Sequence, residues 1–297
     1  MTIFIKQSTI DVFREVIKKK QRDFKVIVNI SGGKDSTFLL DLCLRYLGQK
    51  NIDAIVYIEV PGNTHQVNVE LVYKIIDYYN NFFDVKEKFV HIKKPGYYCH
   101  EHREIEDFWT YMQRHAEIPY CYKARWCMYK MKFNYLGEFI EEMKWPKRKV
   151  ITIAGVKLSD SKFRKSRYQE YVGKLMPGAI QSHEWGPYGY FAMPILEYTT
   201  SEIWSYLKIV VPELYNELKR VYDEYGDTLN CIFCPFKGKS TILKHARHDD
   251  IRRFLLEKLS KIEPKKEQSR KVKERWMKIL KAPCSSIVLN DENTKII

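Results

Sequence analysis

The sequence predicts an α/β protein in which helices cover both faces of a parallel, twisted sheet, followed by a helical C-terminal extension. Two observations support this fold class. Short β-branched runs alternate with segments of helical apolar spacing as far as residue 208, an alternation typical of parallel sheets. From residue 238 onward the spacing is helical alone. In parallel sheets of this kind, ligands bind beyond the carboxyl ends of the strands.

The first half of the chain contains clear strand and helix signals. Residues 1–24 have the apolar spacing of a helix, and the β-branched run at 26–30 is typical of a buried parallel strand. A glycine turn then leads into a predicted helix at 36–47, for which Gly48 is a stop signal. The other elements predicted in this half are strands at 52–60 and 89–92 and a helix at 67–82.

The second half of the chain gives weaker signals. Residues 95–135 are rich in Tyr, His, Arg and Cys, and their helices are poorly defined. A clear strand signal returns at 149–154 and ends at Gly155, whereas residues 160–190 contain scattered glycines without helical spacing and predict a loop. Thr199 is expected to cap a short helix at 202–208.

The chain is strongly basic. Its net charge of +14 comes from 51 Lys and Arg against 37 Asp and Glu, and the helical tail at 238–281 is rich in lysine. Such an excess favours polyanionic partners, although a lysine-rich surface without a binding role has the same composition. No apolar run approaches the ~20 residues that a bilayer span needs. We therefore expect a cytoplasmic protein that does not associate with membranes.

A seven-residue turn, Ser-Gly-Gly-Lys-Asp-Ser-Thr, follows the strand at 26–30 and precedes a helix. Two glycines let the backbone approach an anion closely, and the N–H groups and hydroxyls at the start of the helix can hold phosphate oxygens. The lysine adds positive charge, and the aspartate suits magnesium or a helix cap. The spacing is not that of a Walker A motif, and a plain glycine turn is the alternative. The candidate nucleotide-binding residues of this turn are Ser31, Gly32, Gly33, Lys34, Asp35, Ser36 and Thr37.

Seven cysteines, an odd number, argue against a disulfide framework. Cys231 and Cys234 form a Cys-x-x-Cys pair, and Cys121 and Cys127 form a second pair upstream. Two pairs of thiolates suit either a [4Fe–4S] cluster or tetrahedral zinc, and four unrelated buried thiols are the third interpretation.

The histidines form no convincing set in the sequence. We expect His100, His102, His245 and His248 to be solvated or to contact anions rather than to bind a metal.

The turn at 31–37 resembles the PP-loop of the ATP pyrophosphatase, or adenine nucleotide alpha-hydrolase, superfamily. Three later segments are similar to its phosphoadenosine phosphosulfate (PAPS) reductase branch. They are the turn at 62–64, residues 155–164, which resemble Gly-x-Arg-x-x-Glu-Ser-x-x-Arg, and residues 193–204, which resemble Pro-Ile-x-x-Trp-Thr-x-x-Asp-Ile-Trp. Because these segments occur in family order over residues 25–236, the chain is identified as a member of that family, with its Rossmann-like fold.

The resemblance implies further site residues. Lys34, Asp35 and Arg164 would take part in catalysis. Lys157 stands where the family has arginine and Asp160 where it has glutamate, which would weaken a bidentate contact with phosphate or sulfate. The nucleotide-binding residues that the resemblance adds are Asn63, Gly155, Lys157, Ser161, Arg164 and Arg167.

The resemblance also bears on the cofactors. An intact PP-loop implies binding of ATP with Mg²⁺ and cleavage to AMP and pyrophosphate, because dedicated sulfonucleotide reductases often have an altered loop. It favours a [4Fe–4S] cluster over Zn²⁺, held by Cys121, Cys127, Cys231 and Cys234 with Cys99 as a substitute. The family's C-terminal Glu-Cys-Gly-Leu-His motif is missing, and Cys284 lies in a different context.

Three functions are compatible with these features. The first is ATP-dependent sulfur transfer, such as thiolation of a nucleic acid. The second is a PAPS or adenosine phosphosulfate reductase that releases sulfite, and the third is a nucleotide-binding subunit without turnover. We expect an adenine nucleotide as ligand, a nucleic acid or a sulfur or electron donor protein as partner, and a homo-oligomer. We divide the chain into a nucleotide-binding α/β domain with the cysteine cluster at 1–236 and a basic helical extension at 237–297.

Overall fold

The computed structural model describes residues 5–121, 125–182 and 186–282. The strands are β1 Lys25–Ile30, β2 Ala54–Ile58, β3 Phe89–Ile92, β4 Tyr97–Cys99, β5 Glu104–Glu106, β6 Val150–Ile153, β7 Met176–Ser182 and β8 Gly186–Ala192. The main sheet has six strands in the order β3-β2-β1-β6-β8-β7, and a separate hairpin pairs β4 with β5. All neighbours in the main sheet run parallel except β7, an antiparallel edge strand. The predicted parallel sheet is confirmed.

Helices flank this sheet on both faces, as predicted, and the tail is helical. Thr199 caps α8 with a reciprocal bond to Glu202, as its position in the sequence predicts. The helices of the described residues are α1 Gln7–Lys20, α2 Lys34–Leu42, α3 Gln66–Asn80, α4 Phe108–His115, α5 Trp126–Met128, α6 Asn134–Glu142, α7 Lys162–Tyr168, α8 Thr200–Val210, α9 Pro212–Tyr225, α10 Lys239–Ala246, α11 Asp249–Ser260 and α12 Glu267–Lys281.

Alternation along the strands divides the interior into two cores. In β1, Val26 and Val28 face one core, together with apolar residues of α1, α2, α3, α8 and α9. Ile27 faces the other core, which α4, α6, α10, α11 and α12 complete. None of the helices within the described ranges is long and apolar enough to span a bilayer.

The basic tail packs onto the second face of the sheet. The Ser269 hydroxyl of α12 donates a buried hydrogen bond of 2.7 Å to the carbonyl of Ile118. Trp276 is fully buried, and its ring lies 4.8 Å from that of Phe233. The division at residue 236 stays a prediction, but α10 to α12 share one core with α4 and α6.

The loop predicted at 160–190 is wrong, because this segment contains α7, β7 and β8. Glycine and proline interrupt the apolar pattern of the two strands and hide them in the sequence. The glycine at 189 has a packing reason, since a Cβ atom there would lie 2.0 Å from the carbonyl oxygen of Val150. Strand β8 therefore pairs with β6 at a distance that only glycine permits.

Candidate functional site

The PP-loop lies at the carboxyl end of β1, between Ile30 and the first residue of α2. Gly32 has a φ of +73°, in the left-handed region that favours glycine. Gly33 precedes α2 without a capping side chain, and the hydroxyls of Ser36 and Thr37 donate to its carbonyl at 2.9 and 3.0 Å. The N–H groups of the first turn of α2 therefore have no side-chain cap, which is the arrangement of an anion site.

Charged side chains connect the PP-loop to the loop after β6. Lys34 Nζ lies 3.0 Å from Asp35 Oδ2, and Lys157 Nζ lies 3.1 Å from Asp35 Oδ1. Lys157 is fully buried; its Nζ also lies 3.3 Å from Asp160 Oδ1 and donates to the Thr200 hydroxyl at 2.9 Å. The buried ammonium group of Lys157 thus holds the Asp35 carboxylate in place.

Gly155 brings these two loops into contact. A Cβ atom at this position would lie 3.1 Å from the carbonyl oxygen of Asp35, so a side chain would push the loops apart. The contact is possible because β6 pairs directly with β1, with Val26 opposite Ile151. The two predicted segments therefore meet at neighbouring strand ends, as parallel-sheet topology requires.

Asp35 offers a carboxylate at this anion site. Its Oδ1 is buried and accepts no hydrogen bond of good geometry, but it pairs with Lys157 Nζ at 3.1 Å. A carboxylate at a phosphate site is the kind of ligand that Mg²⁺ takes, with phosphates and water completing its shell.

Three other predicted nucleotide-binding residues have different surroundings. Asn63 is fully buried, and its amide group exchanges two 2.9 Å hydrogen bonds with the backbone of Phe233. Ser161 caps α7 by accepting from the N–H of Arg164, whose side chain pairs with Asp160. Arg167 is exposed and lies 5.9 Å from the ring of Tyr168. Through its two hydrogen bonds with Phe233, Asn63 connects the turn after β2 to the Cys-x-x-Cys loop.

A hydrogen-bonded path joins the PP-loop to that cysteine loop. Asn68 is fully buried; its Nδ2 donates to the carbonyl of Ser31 at 3.0 Å, and its Oδ1 accepts from Asn230 Nδ2 at 3.1 Å. Asn230 immediately precedes Cys231. Sequence analysis missed both asparagines, and the available signal was a polar residue between two valines on the apolar face of α3. The path therefore connects the turn at 31–37 to the Cys-x-x-Cys loop.

Three of the four predicted cysteine ligands lie together. Burial, with smaller contributions from the neighbouring Cys231 and Cys234, raises the pKa of Cys127 to about 12. Burial also raises the pKa of Cys234, again with a contribution from Cys231. Cys121 instead lies beside Lys266, whose pKa is raised mainly by a hydrogen bond to Glu117 and partly by this cysteine.

One further cysteine lies apart from this group, and another lies outside the residues that the structure describes. Cys43 is fully buried in the first core. Cys284 lies outside the described residues.

Two histidines depart from expectation. His102 is not simply solvated, since its Nδ1 lies 2.6 Å from Glu106 Oε1. His245 is fully buried rather than solvated, and its Nε2 lies 3.6 Å from Asp227 Oδ1. Both contacts form only when the chain folds, so the residue pattern did not reveal them.

Comparisons with known proteins agree with the sequence motifs. The family model of the phosphoadenosine phosphosulfate reductase domain matches residues 25–235, whereas no curated protein matches the chain. The chain is similar to PAPS reductase from Candida auris, with 11% identity over 70% of this chain and 88% of that chain and a TM-score of 0.40.

Two further solved structures are similar to the chain. NH3-dependent NAD synthetase from Campylobacter jejuni has 16% identity over 92% of this chain and 93% of that chain, with a TM-score of 0.42. The U34-tRNA thiolase NcsA from Methanococcus maripaludis, solved with its [4Fe-4S] cluster, has 17% identity over 93% of this chain and 81% of that chain, with a TM-score of 0.36. These likenesses are distant, and the assignment depends on the domain match. Because that match covers more than half of the sequence, the chain belongs to the phosphoadenosine phosphosulfate reductase family within the adenine nucleotide alpha-hydrolase superfamily.

Proposed function

We propose that the protein binds ATP with Mg²⁺ and cleaves it between the α- and β-phosphates during sulfur transfer to a nucleic acid. A target oxygen attacks the α-phosphorus, pyrophosphate leaves, and sulfide from a donor then displaces AMP from the adenylylated target. The observation that carries the proposal is the hydrogen-bonded path from an intact PP-loop to three neighbouring cysteines, through Asn68 and Asn230.

The PP-loop has the groups that a triphosphate requires. The N–H groups at the start of α2 and the Lys34 ammonium would hold the departing β- and γ-phosphates. Asp35 would bind Mg²⁺ through its carboxylate, which the ion pair with Lys157 holds in place. Phosphoryl-type transfer depends mostly on positioning and on charge stabilisation, and these residues supply both.

The cysteines favour a cluster over a single zinc ion. Cys127, Cys231 and Cys234 influence one another electrostatically, but among the described residues they do not form a group whose ligand atoms all lie within 4.8 Å. One zinc ion needs its ligands that close, whereas a cubane binds each thiolate at a different iron atom. Burial raises the pKa values of Cys127 and Cys234, and the positive charges of Arg125, Lys132 and Lys237 oppose part of this rise, which would help to stabilise thiolate ligands.

We propose Cys121 as the fourth cluster ligand, in keeping with the sequence prediction. A bound cluster would supply a site for carrying sulfur or for electron transfer. The residues around it would exclude water and hold the target near the α-phosphate. Cys121 follows Tyr120, whose ring lies 5.9 Å from Lys266 Nζ, just before the start of α12. The structure does not describe residues 122–124, which come directly after Cys121.

The alternative activity is reduction of PAPS or adenosine phosphosulfate with release of sulfite. The family match favours it. The complete PP-loop weighs against it, because a sulfonucleotide has no β- and γ-phosphates for the loop to hold. A third alternative is a nucleotide-binding subunit that does not turn over by itself.

The nucleotide chemistry can be tested with anaerobically purified full-length protein. The protein is incubated with ATP, a tRNA or DNA pool and sulfide, or with PAPS and a dithiol, while pyrophosphate and sulfite are measured. We expect pyrophosphate from ATP, no sulfite, and a loss of at least about tenfold in rate for Lys34→Met, because a phosphate-binding charge is removed. Lys50→Met, at an exposed position, is the control.

Each other outcome of this assay selects an alternative. Sulfite release from PAPS without pyrophosphate from ATP would establish the reductase activity. Tight ATP binding without either product would identify a subunit that depends on a partner for turnover.

The cluster can be tested by its absorbance at about 400 nm in the anaerobic protein. We expect Cys231→Ser to remove this band and Cys99→Ser to retain it, because Cys99 lies in a different group of residues. A colourless wild-type protein that contains one zinc at Cys231 and Cys234 would overturn the cluster proposal.

A further inference from the structure

A compact group of four side chains lies outside the nucleotide and cysteine-loop site. Its members are Cys99 at the end of β4, His102 in the hairpin turn, Glu106 at the end of β5 and His115 at the end of α4. One potential ligand atom from each residue lies within 4.8 Å of all the others. Within the part of the chain that the structure describes, this is the one group of such residues with that geometry.

The distances point to a shared centre rather than to separate hydrogen bonds. Cys99 Sγ lies 3.6 Å from His102 Nδ1 and 3.8 Å from His115 Nε2. The same two nitrogen atoms lie 2.6 and 3.2 Å from the two carboxylate oxygens of Glu106. Each nitrogen thus faces both a sulfur and an oxygen, whereas a single N–H or lone pair can serve only one of them.

The spacing fits the edges of a coordination tetrahedron. Zn–S bonds of about 2.3 Å and Zn–N bonds of about 2.0–2.1 Å place tetrahedral S and N ligands about 3.6 Å apart. Both observed separations between Cys99 Sγ and an imidazole nitrogen are close to this value. The separation of 3.2 Å between His115 and Glu106 also matches a tetrahedral N–O edge of about 3.3 Å. Of these four separations, the 2.6 Å between His102 Nδ1 and Glu106 Oε1 is the one that is shorter than a metal would hold it.

Burial and charge support the same interpretation. Cys99 and Glu106 are buried, and a metal-free hydrogen-bonded trio of two histidines and a glutamate would have no use for a buried thiol. Glu106 is fully buried, yet its two carboxylate oxygens face an imidazole nitrogen of His102, an imidazole nitrogen of His115 and the Arg114 guanidinium. The carboxylate oxygens are therefore in place to act as ligands.

We infer that Cys99, His102, Glu106 and His115 form a structural site for a divalent cation of the Zn²⁺ type. One thiolate, two imidazoles and one carboxylate select zinc over the hard cations Mg²⁺ and Ca²⁺, which prefer oxygen ligands alone. Four protein ligands leave no open position, which is the pattern of a structural rather than a catalytic site. Arg114 near Glu106 and Glu101 near His115 Nδ1 would support the ligands from outside.

The site explains how a very small hairpin stays ordered. β4 and β5 have three residues each and pair only with one another, and an isolated two-stranded hairpin is marginally stable. A metal would tie both strands to the end of α4. The start of α4 in turn contacts the turn after β2, since the N–H of Phe108 donates to the carbonyl of Pro61 at 3.0 Å. The ion would therefore brace a helix whose other end contacts the turn that Asn63 connects to the Cys-x-x-Cys loop.

Metal analysis of the purified full-length protein tests this inference. We expect about one zinc per chain after growth in zinc-supplemented medium. Cys99→Ser and His115→Ala should each lower the zinc affinity at least about a hundredfold, since loss of a direct ligand exceeds loss of an outer partner. His100→Ala is the matched control, because this exposed histidine lies in the same hairpin outside the group. Cys231→Ser should leave the zinc content unchanged.

Cobalt substitution provides a second measurement on the wild-type protein, which does not depend on the folding of any variant. Co²⁺ in the proposed site should give tetrahedral d–d bands and a sulfur-to-cobalt charge-transfer band. Chelation of the metal should lower the Tm of the wild-type protein. Absence of tightly bound zinc and cobalt in the wild-type protein, or a cobalt spectrum without a thiolate band, would overturn the assignment.

Discussion

Gly32 shows how a single residue joins the backbone of the PP-loop to the polar path behind it. At a φ of +73°, any other residue would carry a backbone cost of about 1–2 kcal/mol. A Cβ atom at this position would also lie 2.7 Å from Asn68 Nδ2 and 2.9 Å from Val72 Cγ2. A methyl group would therefore displace the asparagine that holds the carbonyl of Ser31.

We predict that Gly32→Ala weakens ATP binding at least about tenfold and lowers the free energy of unfolding by about 2 kcal/mol or more. Gly173→Ala is the matched control, because its φ is +74° but its nearest neighbour, Asp11 Cβ, would lie at 3.7 Å. The control should lose stability without losing nucleotide affinity. Calorimetric titration with ATP and urea unfolding measure the two effects, and equal ATP affinity for both variants would contradict the role of Gly32.

At the scale of residues, a site formed by one continuous segment could be predicted from the sequence, whereas contacts between separate segments could not. The PP-loop was found because seven neighbouring residues carry its chemistry on one turn. The sequence predicts a solvated His102, because its contacts with Glu106 and His115 form only when β5 and α4 pack beside it. The role of Asn63 toward Phe233 was equally hidden, since the two residues are far apart in the chain.

At the scale of elements, regular apolar patterns predicted strands and helices well. The strands expected at 26–30, 89–92 and 149–154 are present as β1, β3 and β6. β7 and β8 were missed because glycine and proline break their alternation, and a register shift near Pro177 accompanies these residues. Local sequence cannot show that the neighbouring strand leaves no room for a side chain at Gly189.

Helix α10 makes the stability of the tail depend on pH through His245. Burial lowers the pKa of His245 below its ordinary value near 6.5, and Lys237 adds to this effect while Asp227 opposes it. The unfolded chain therefore binds a proton more readily than the folded chain does. The stability that the neutral histidine contributes is present above pH 6.5 and is lost as the pH falls below that value.

We predict that the free energy of unfolding is smaller at pH 5.5 than at pH 7.5, with a slope from His245 of at most about 1.4 kcal/mol per pH unit. His245→Gln should reduce this slope, because glutamine is polar and does not titrate. His65, whose pKa burial also lowers, would leave a residual slope. Urea unfolding across this range is the measurement, with exposed His100→Gln as control, and an unchanged slope in His245→Gln would contradict the prediction.

At the scale of the whole molecule, the tail completes the second core and supports the cysteine loop. Several positively charged side chains of α12 form hydrogen bonds within this packing. Arg270 and Arg275 donate to the carbonyls of Pro264 and Pro235, and Lys273 donates to that of Ile262. The basic composition of the tail favours a polyanionic partner in the sequence analysis. The structure shows that some of these cations instead stabilise the fold.

Trp276 is a buried side chain through which the tail contacts the Cys-x-x-Cys loop, beside the Arg275 contact with Pro235. It is fully buried in the second core, and its ring packs 4.8 Å from Phe233, between Cys231 and Cys234. We predict that Trp276→Ala lowers the free energy of unfolding by about 3–5 kcal/mol, the usual cost of truncating a large buried aromatic residue. Backbone hydrogen exchange should also rise in residues 229–237 more than in α1, because the loop loses the surface on which it rests.

Lys278→Ala, on the exposed face of the same helix, is the control and should change neither quantity. Urea unfolding and exchange followed by mass spectrometry separate a global loss of stability from a local one. If exchange in the cysteine loop rose no more than in α1, the tail would stabilise the fold without positioning this loop. If it rose selectively, the helices after residue 238 would belong to the functional unit, because the three neighbouring cysteines could not hold their arrangement without them.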